Sequence, residues 1–187
     1  MDNINSRDSR KALPGMIAIA AAFSVAAFSQ GSMNAANVPP ALRPPAEQLL
    51  LLEVTGKGVQ IYKCVGDGGP AAPFNWKFQG PEAELLDHDG HVIGKHYAGP
   101  TWESADGSSV VGVLLAHDDG PDPAAIPWLL LSAKATNGTG VFGKVLSIQR
   151  LHTAGGQAPS AACNATNAGQ VARVPYSADY YFYGPKT

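Results

Sequence analysis

The chain has 187 residues, 45% of them hydrophobic and 15% charged, with 21 Gly, 15 Pro and a formal net charge of −2. That length fits one domain, and the low charge with dense turn formers excludes a coiled coil, a long-helix bundle and a charged disordered tail. The only dense basic stretch is residues 7–11, so the counterion-releasing surface that nucleic-acid binding feeds on is missing and no nucleic-acid partner is expected.

In chain order, Arg7, Arg10 and Lys11 precede an apolar stretch over 12–28, and Ala27-Phe28-Ser29 offers a small-residue cleavage pattern. Residues 1–29 therefore read as a secretory signal peptide cut between about 29 and 36. An uncleaved anchor is the competing reading, weakened by Pro14 and Gly15 inside a stretch shorter than a spanning helix needs. The expected product is secreted or periplasmic, with no stable membrane span after cleavage. Residues 30–48, with Pro39-Pro40 and Pro44-Pro45, read as an extended Pro-rich leader.

From 49 to 187 the pattern is that of a single all-β domain. Runs at 49–55 and 59–64 flank Gly56-Lys57-Gly58, which predicts a hairpin. Within the second run, Gln60, Tyr62 and Cys64 share one face and Val59, Ile61 and Lys63 the other. Residues 66–73 are a loop by composition, and 74–78 alternates aromatic with polar, predicting a strand with its aromatic face inward. Strands at 83–86 and 92–97 flank Asp87-His88-Asp89-Gly90, whose Asp-Gly ending is a hairpin signal. Further strands are predicted at 110–115, 128–133, 141–151 and 176–183, separated by long Gly/Pro-rich loops. No segment holds a 3.6-residue apolar period over helical length. About nine or ten short antiparallel strands imply a β-sandwich or a closed β-barrel, and the pattern leaves the two open.

The two cysteines, Cys64 and Cys163, both lie in the exported part, where an isolated pair reads as a disulfide. A Cys/His metal site is the alternative, although neither has a C-x-x-C partner. His88, His91 and His96 lie close in sequence and are candidate metal ligands. His88 and His91 fall on a turn, and His91 and His96, five apart, face opposite sides of an undisturbed strand. His96 ends a strand before Gly99-Pro100, and with Glu103 or Asp106 it would form an acid–base pair. Arg150 sits inside an apolar strand, sharing a face with Leu146 and Ile148, so it needs a carboxylate (Glu103, Asp106 or Asp179) or a bound anion. No nucleophile elbow, H-E-x-x-H, G-x-G-x-x-G or P-loop occurs.

Several stretches combine into a resemblance: Gly58-Val59-Gln60-Ile61-Tyr62-Lys63-Cys64, then 94–103 with Asp106-Gly107-Ser108, Ile126-Pro127-Trp128-Leu129-Leu130, and Ile148-Gln149-Arg150. Thr153-Ala154-Gly155-Gly156 and Tyr176-Ser177-Ala178-Asp179-Tyr180 continue it. The chain resembles the secreted bacterial and fungal family catalogued as domain of unknown function 3455, from about residue 49 to 183. The resemblance implies no activity and no catalytic residues.

Three functional expectations follow. The first is an exported β-domain that binds a small molecule or a cell-envelope component in a pocket bordered by Tyr62, His96, Trp102, Trp128 and Arg150. The second is a metal-dependent or acid–base enzyme centred on His96 with Glu103 or Asp106. The third is a structural envelope protein without a pocket. No cofactor is predicted, a metal ion at His96 being the alternative.

Overall fold

Alternating apolar and polar residues form eight strands: β1 (Gln48–Gly66), β2 (Phe74–Leu86), β3 (Val92–Tyr97), β4 (Thr101–Ser104), β5 (Ser109–Asp118), β6 (Trp128–Asn137), β7 (Ser147–Gly155) and β8 (Val171–Pro185). The computed structural model describes residues 38–66, 68 and 73–186; the segment read as a signal peptide, its cleavage region and the start of the leader lie outside the described residues. Each strand pairs antiparallel with its neighbour in sequence, and β1 pairs with β8, so the sheet closes into a barrel. This decides between the two expected architectures in favour of the barrel.

The expected number of strands changes for three physical reasons. Gly56-Lys57-Gly58 is not a turn, because β1 runs straight through it for 19 residues. A Cβ at Gly58 would lie 2.1 Å from the Glu82 carbonyl oxygen, and one at Gly56 would lie 2.5 Å from the Tyr180 ring. These glycines admit a neighbour rather than bend the chain. The runs at 74–78 and 83–86 likewise fuse into β2, with the register shift opposite Ile61 and Tyr62 absorbing Gln79 as an extra residue. In the other direction, the four-residue β4 was hidden behind the Gly99-Pro100 break. The predicted hairpin at 87–90 is present: Gly90 has φ +83°, and the Asp87 carboxylate accepts from the Asp89 and His91 amides at 3.0 and 2.8 Å.

Inward-facing side chains make the core. Along β8 these are Tyr176, Ala178, Tyr180 and Phe182, joined by Val54, Ala83, Leu85, Trp102, Val110, Leu131 and Ile148. A single 3₁₀ turn, Val141–Lys144, replaces the start of the strand expected at 141–151 and plugs one end of the barrel. It sets Phe142 against Phe182 with ring centroids 4.6 Å apart. Asp106 fixes this plug, accepting from the Ser108 amide and hydroxyl (2.8 and 2.6 Å) and from the Val141 amide (3.0 Å). Outward-facing positions carry ion pairs, Glu82 with Arg173 at 2.7 Å and Lys95 with Glu103 at 3.0 Å. Among the described residues no helix is long and apolar enough to cross a membrane.

Part of the segment read as a leader is seated on the barrel. A 3₁₀ turn at Pro40–Leu42 buries Leu42 completely against the outer wall, packed on β5 and β6. The buried Gln149 amide donates to the Leu42 carbonyl at 2.6 Å. Cys64 and Cys163 form a disulfide that ties the end of β1 to the loop before β8.

Candidate functional site

Because the chain runs up and down, the β1–β2, β3–β4, β5–β6 and β7–β8 connections lie at the end opposite the Phe142 plug. Here the barrel interior is not filled. A cavity of about 360 Å³ is lined by Tyr62, Phe78, Trp102, Ile126, Leu129, Leu131 and Tyr180, with Gln60, His96 and Arg150 as its polar members. It reaches the surface at the exposed residues Phe78, Gln79 and Gly99.

Strand alternation explains which side chains arrive. On β1, Gln60 and Tyr62 point inward, both buried, and the Tyr62 hydroxyl donates to the Gly156 carbonyl at 2.7 Å. His96 on β3 and Trp102 on β4 are cross-strand partners whose rings stack at 4.3 Å and 8°. Tyr180 meets both rings edge-on, at 5.2 and 5.5 Å. His96 Nδ1 lies 2.8 Å from the Thr101 carbonyl, which can only accept, so Nδ1 carries the proton and Nε2 is left as an acceptor. Burial pushes the His96 pKa down to about 3; the Thr101 bond opposes this and the Arg150 charge adds to it. The imidazole is neutral.

Arg150 donates through Nε and Nη2 to the Pro127 carbonyl, at 3.1 and 2.7 Å, and also hydrogen-bonds the Tyr180 hydroxyl. None of the expected carboxylates pairs with it. Asp179 faces outward and receives Thr55 Oγ1 at 3.0 Å and His152 Nδ1 at 3.0 Å, while Glu103 and Asp106 are engaged elsewhere. The face shared with Ile148 is as read, but Leu146 precedes the strand and is exposed. Burial raises the pKa values of Tyr62, Tyr176 and Tyr180, so these phenols around the guanidinium keep their protons.

Four of the five residues expected to border a pocket, Tyr62, His96, Trp102 and Arg150, line this one cavity. Trp128 does not. The period of β6 turns Leu129 and Leu131 inward, so Trp128 packs outside, edge-on to His152 at 5.5 Å. The expected acid–base pair is not assembled either. Trp102 faces in, so its neighbour Glu103 faces out, held by Tyr97 Oη at 2.8 Å and Lys95 Nζ at 3.0 Å. Asp106 sits at the plugged end, where the Ser108 and Val141 bonds bring its pKa down to about 2. The candidate metal ligands part company as well. His88 and His91 are exposed beside Asp89 and Asp87 on the hairpin, five residues or more from His96 along the chain. Asp87, Asp89 and His91 place ligand-type atoms within 4.8 Å of one another on that exposed turn.

Gln60, Phe78 and Tyr180 were missed as cavity residues. Gln60 did carry a signal, a lone amide on the face of β1 that also bears Tyr62 and Cys64. Phe78 was expected to face inward but stands at the rim, 5.6 Å from the Tyr62 ring and exposed.

No curated protein and no solved structure matches the chain. Its cavity, its disulfide and all of its barrel strands but the last residue of β8 fall within residues 45–184, which match one family model, described as "Protein of unknown function (DUF3455)", and the chain belongs to that family.

Proposed function

We propose that this chain is an exported binding protein that takes one small, largely apolar molecule into the open end of its barrel. The observation that carries the reading is the cavity of about 360 Å³, walled by aromatic and aliphatic side chains with few polar groups. Such a composition and size suit a small-molecule site, and an eight-stranded barrel is just wide enough to hold one ligand. Export is supported by the basic and apolar N-terminus and by the Cys64–Cys163 disulfide. An enzyme centred on His96 is disfavoured, because Glu103 and Asp106 are both held away from the imidazole.

Titration with the uncharged fluorophore phenylnaphthylamine tests the reading. One saturable site per chain is expected, with a blue-shifted emission, and Leu129→Trp, which fills the cavity, abolishes it. A folded protein that shows no saturable signal would sink the proposal.

A further inference from the structure

Three polar groups in the cavity have more donors than the protein uses. The Arg150 guanidinium offers five N–H bonds, and its recorded partners are one carbonyl and one phenol. Among the described residues no carboxylate lies within ion-pair distance of it, and the nearby tyrosine and histidine side chains bring no negative charge. The Trp102 indole nitrogen, a donor only, is buried without a partner, as is the Gln60 amide nitrogen. Both side chains are at least 98% buried and both line the same cavity. A buried N–H without an acceptor costs about 1–3 kcal/mol, and the half-buried Arg150 guanidinium has no counter-charge to offset its partial desolvation. Orphans of this kind inside an otherwise apolar pocket mark the groups a ligand is meant to satisfy.

Donors predominate. Both buried orphans in the cavity are N–H groups, with His96 Nε2 as an open acceptor beside them, and the one formal charge there is positive. Around it stand the stacked His96–Trp102 pair, Tyr180 and Leu131, which match a flat or branched hydrocarbon body. We propose that the cavity selects apolar molecules carrying one anionic oxygen head group, seated on the Arg150 guanidinium with the Trp102 indole and the Gln60 amide as further donors. This rests on the cavity being a ligand site, and it names the ligand class that site prefers: carboxylates and chemically similar oxyanions attached to a compact aromatic or aliphatic skeleton.

The test compares two fluorophores with the same hydrocarbon frame, uncharged phenylnaphthylamine and anilinonaphthalene sulfonate, on the purified exported protein. The sulfonate is anionic at any pH where the protein is folded, so probe titration does not enter. The expected result is binding at least about tenfold tighter for the sulfonate, as a charge-assisted hydrogen bond implies. Arg150→Lys keeps most of that preference and Arg150→Gln reduces it to about one. Trp102→Phe, which removes the indole N–H along with part of the ring, lowers the ratio of sulfonate to neutral-probe affinity severalfold. Equal affinities in the unaltered protein, or a preference untouched by Arg150→Gln, overturn the anionic class and leave the apolar-pocket reading standing. Failure of both probes to bind overturns the pocket reading itself and this inference with it. Should Arg150→Gln fail to fold, judged by loss of the neutral probe, the unaltered protein and Trp102→Phe decide the matter alone.

Discussion

His96 shows how a single buried residue couples this fold to pH. Its folded-state pKa of about 3 lies below the ordinary value of 6.5 because burial disfavours the charged ring. The unfolded chain therefore binds the proton first as pH drops. Stability is complete above about pH 6.5 and falls by about 1.4 kcal/mol per unit below it, until the folded pKa is reached. The carboxylates with depressed pKa values, Glu82, Asp87, Glu103 and Asp106, act in the same direction but only below about pH 4.5. Urea-unfolding midpoints between pH 6.5 and 4.5 should therefore decline in the native protein and stay nearly level in His96→Asn; equal slopes would contradict a buried, neutral His96. Placing His96, Trp102 and Arg150 around one pocket was an expectation of the sequence, and Arg150 carried the clearest signal, a cation inside an apolar strand that needs a partner. That Glu103 and Asp106 serve other duties was not legible there. Sequence proximity placed them near His96, whereas the two-residue period of β4 and the plug at Val141–Lys144 decide which way they face.

Among the elements, β1 was the most misleading and is the most telling. Glycines at 56 and 58 look like a turn in a linear reading because the same residue serves tight turns and tight contacts. Only the pairing of β1 with β2 and β8 at once reveals the second use. Gly58→Ala should accordingly destabilise the barrel by about 1–3 kcal/mol through overpacking against Glu82 and Ala83, readable as a lower thermal midpoint. An unchanged midpoint would mean the turn reading deserved to win. The Pro40–Leu42 segment raises a parallel point. Its prolines announced an extended chain, and nothing local says that Leu42 finds a fully buried seat on the outer wall. Leu42→Ala should lower stability by about 2–5 kcal/mol. Trimming the chain to begin at residue 48 should do at least as much, and full stability after that trimming would show the strap to be ornamental. By contrast, the hairpin at 87–90 and the strands either side were legible throughout, since Asp-Gly chemistry and alternation are local signals.

At the scale of the molecule, the all-β class followed from low charge and frequent turn formers, but closure did not. No local pattern says that the first strand pairs with the last. One covalent link reinforces that arrangement. Cys64 and Cys163, 99 residues apart, close a loop whose constraint on the unfolded chain is worth about 4–5 kcal/mol in the chain-entropy account. Replacing both with Ser should remove a comparable amount from the unfolding free energy; a non-reducing mass measurement showing two free thiols in exported protein would remove the premise. N-terminal sequencing of that exported protein should begin between residues 30 and 37. The β1–β8 seam also bears on timing. Pairing runs from Gln48 against Pro185 to Lys63 against Val171, so the barrel cannot close until almost the last residue exists. Contacts this distant in sequence are slow to form, since the intervening chain must first surrender its freedom. For the export proposed above such a delay is an advantage: the chain's own topology would keep it threadable until both ends have crossed.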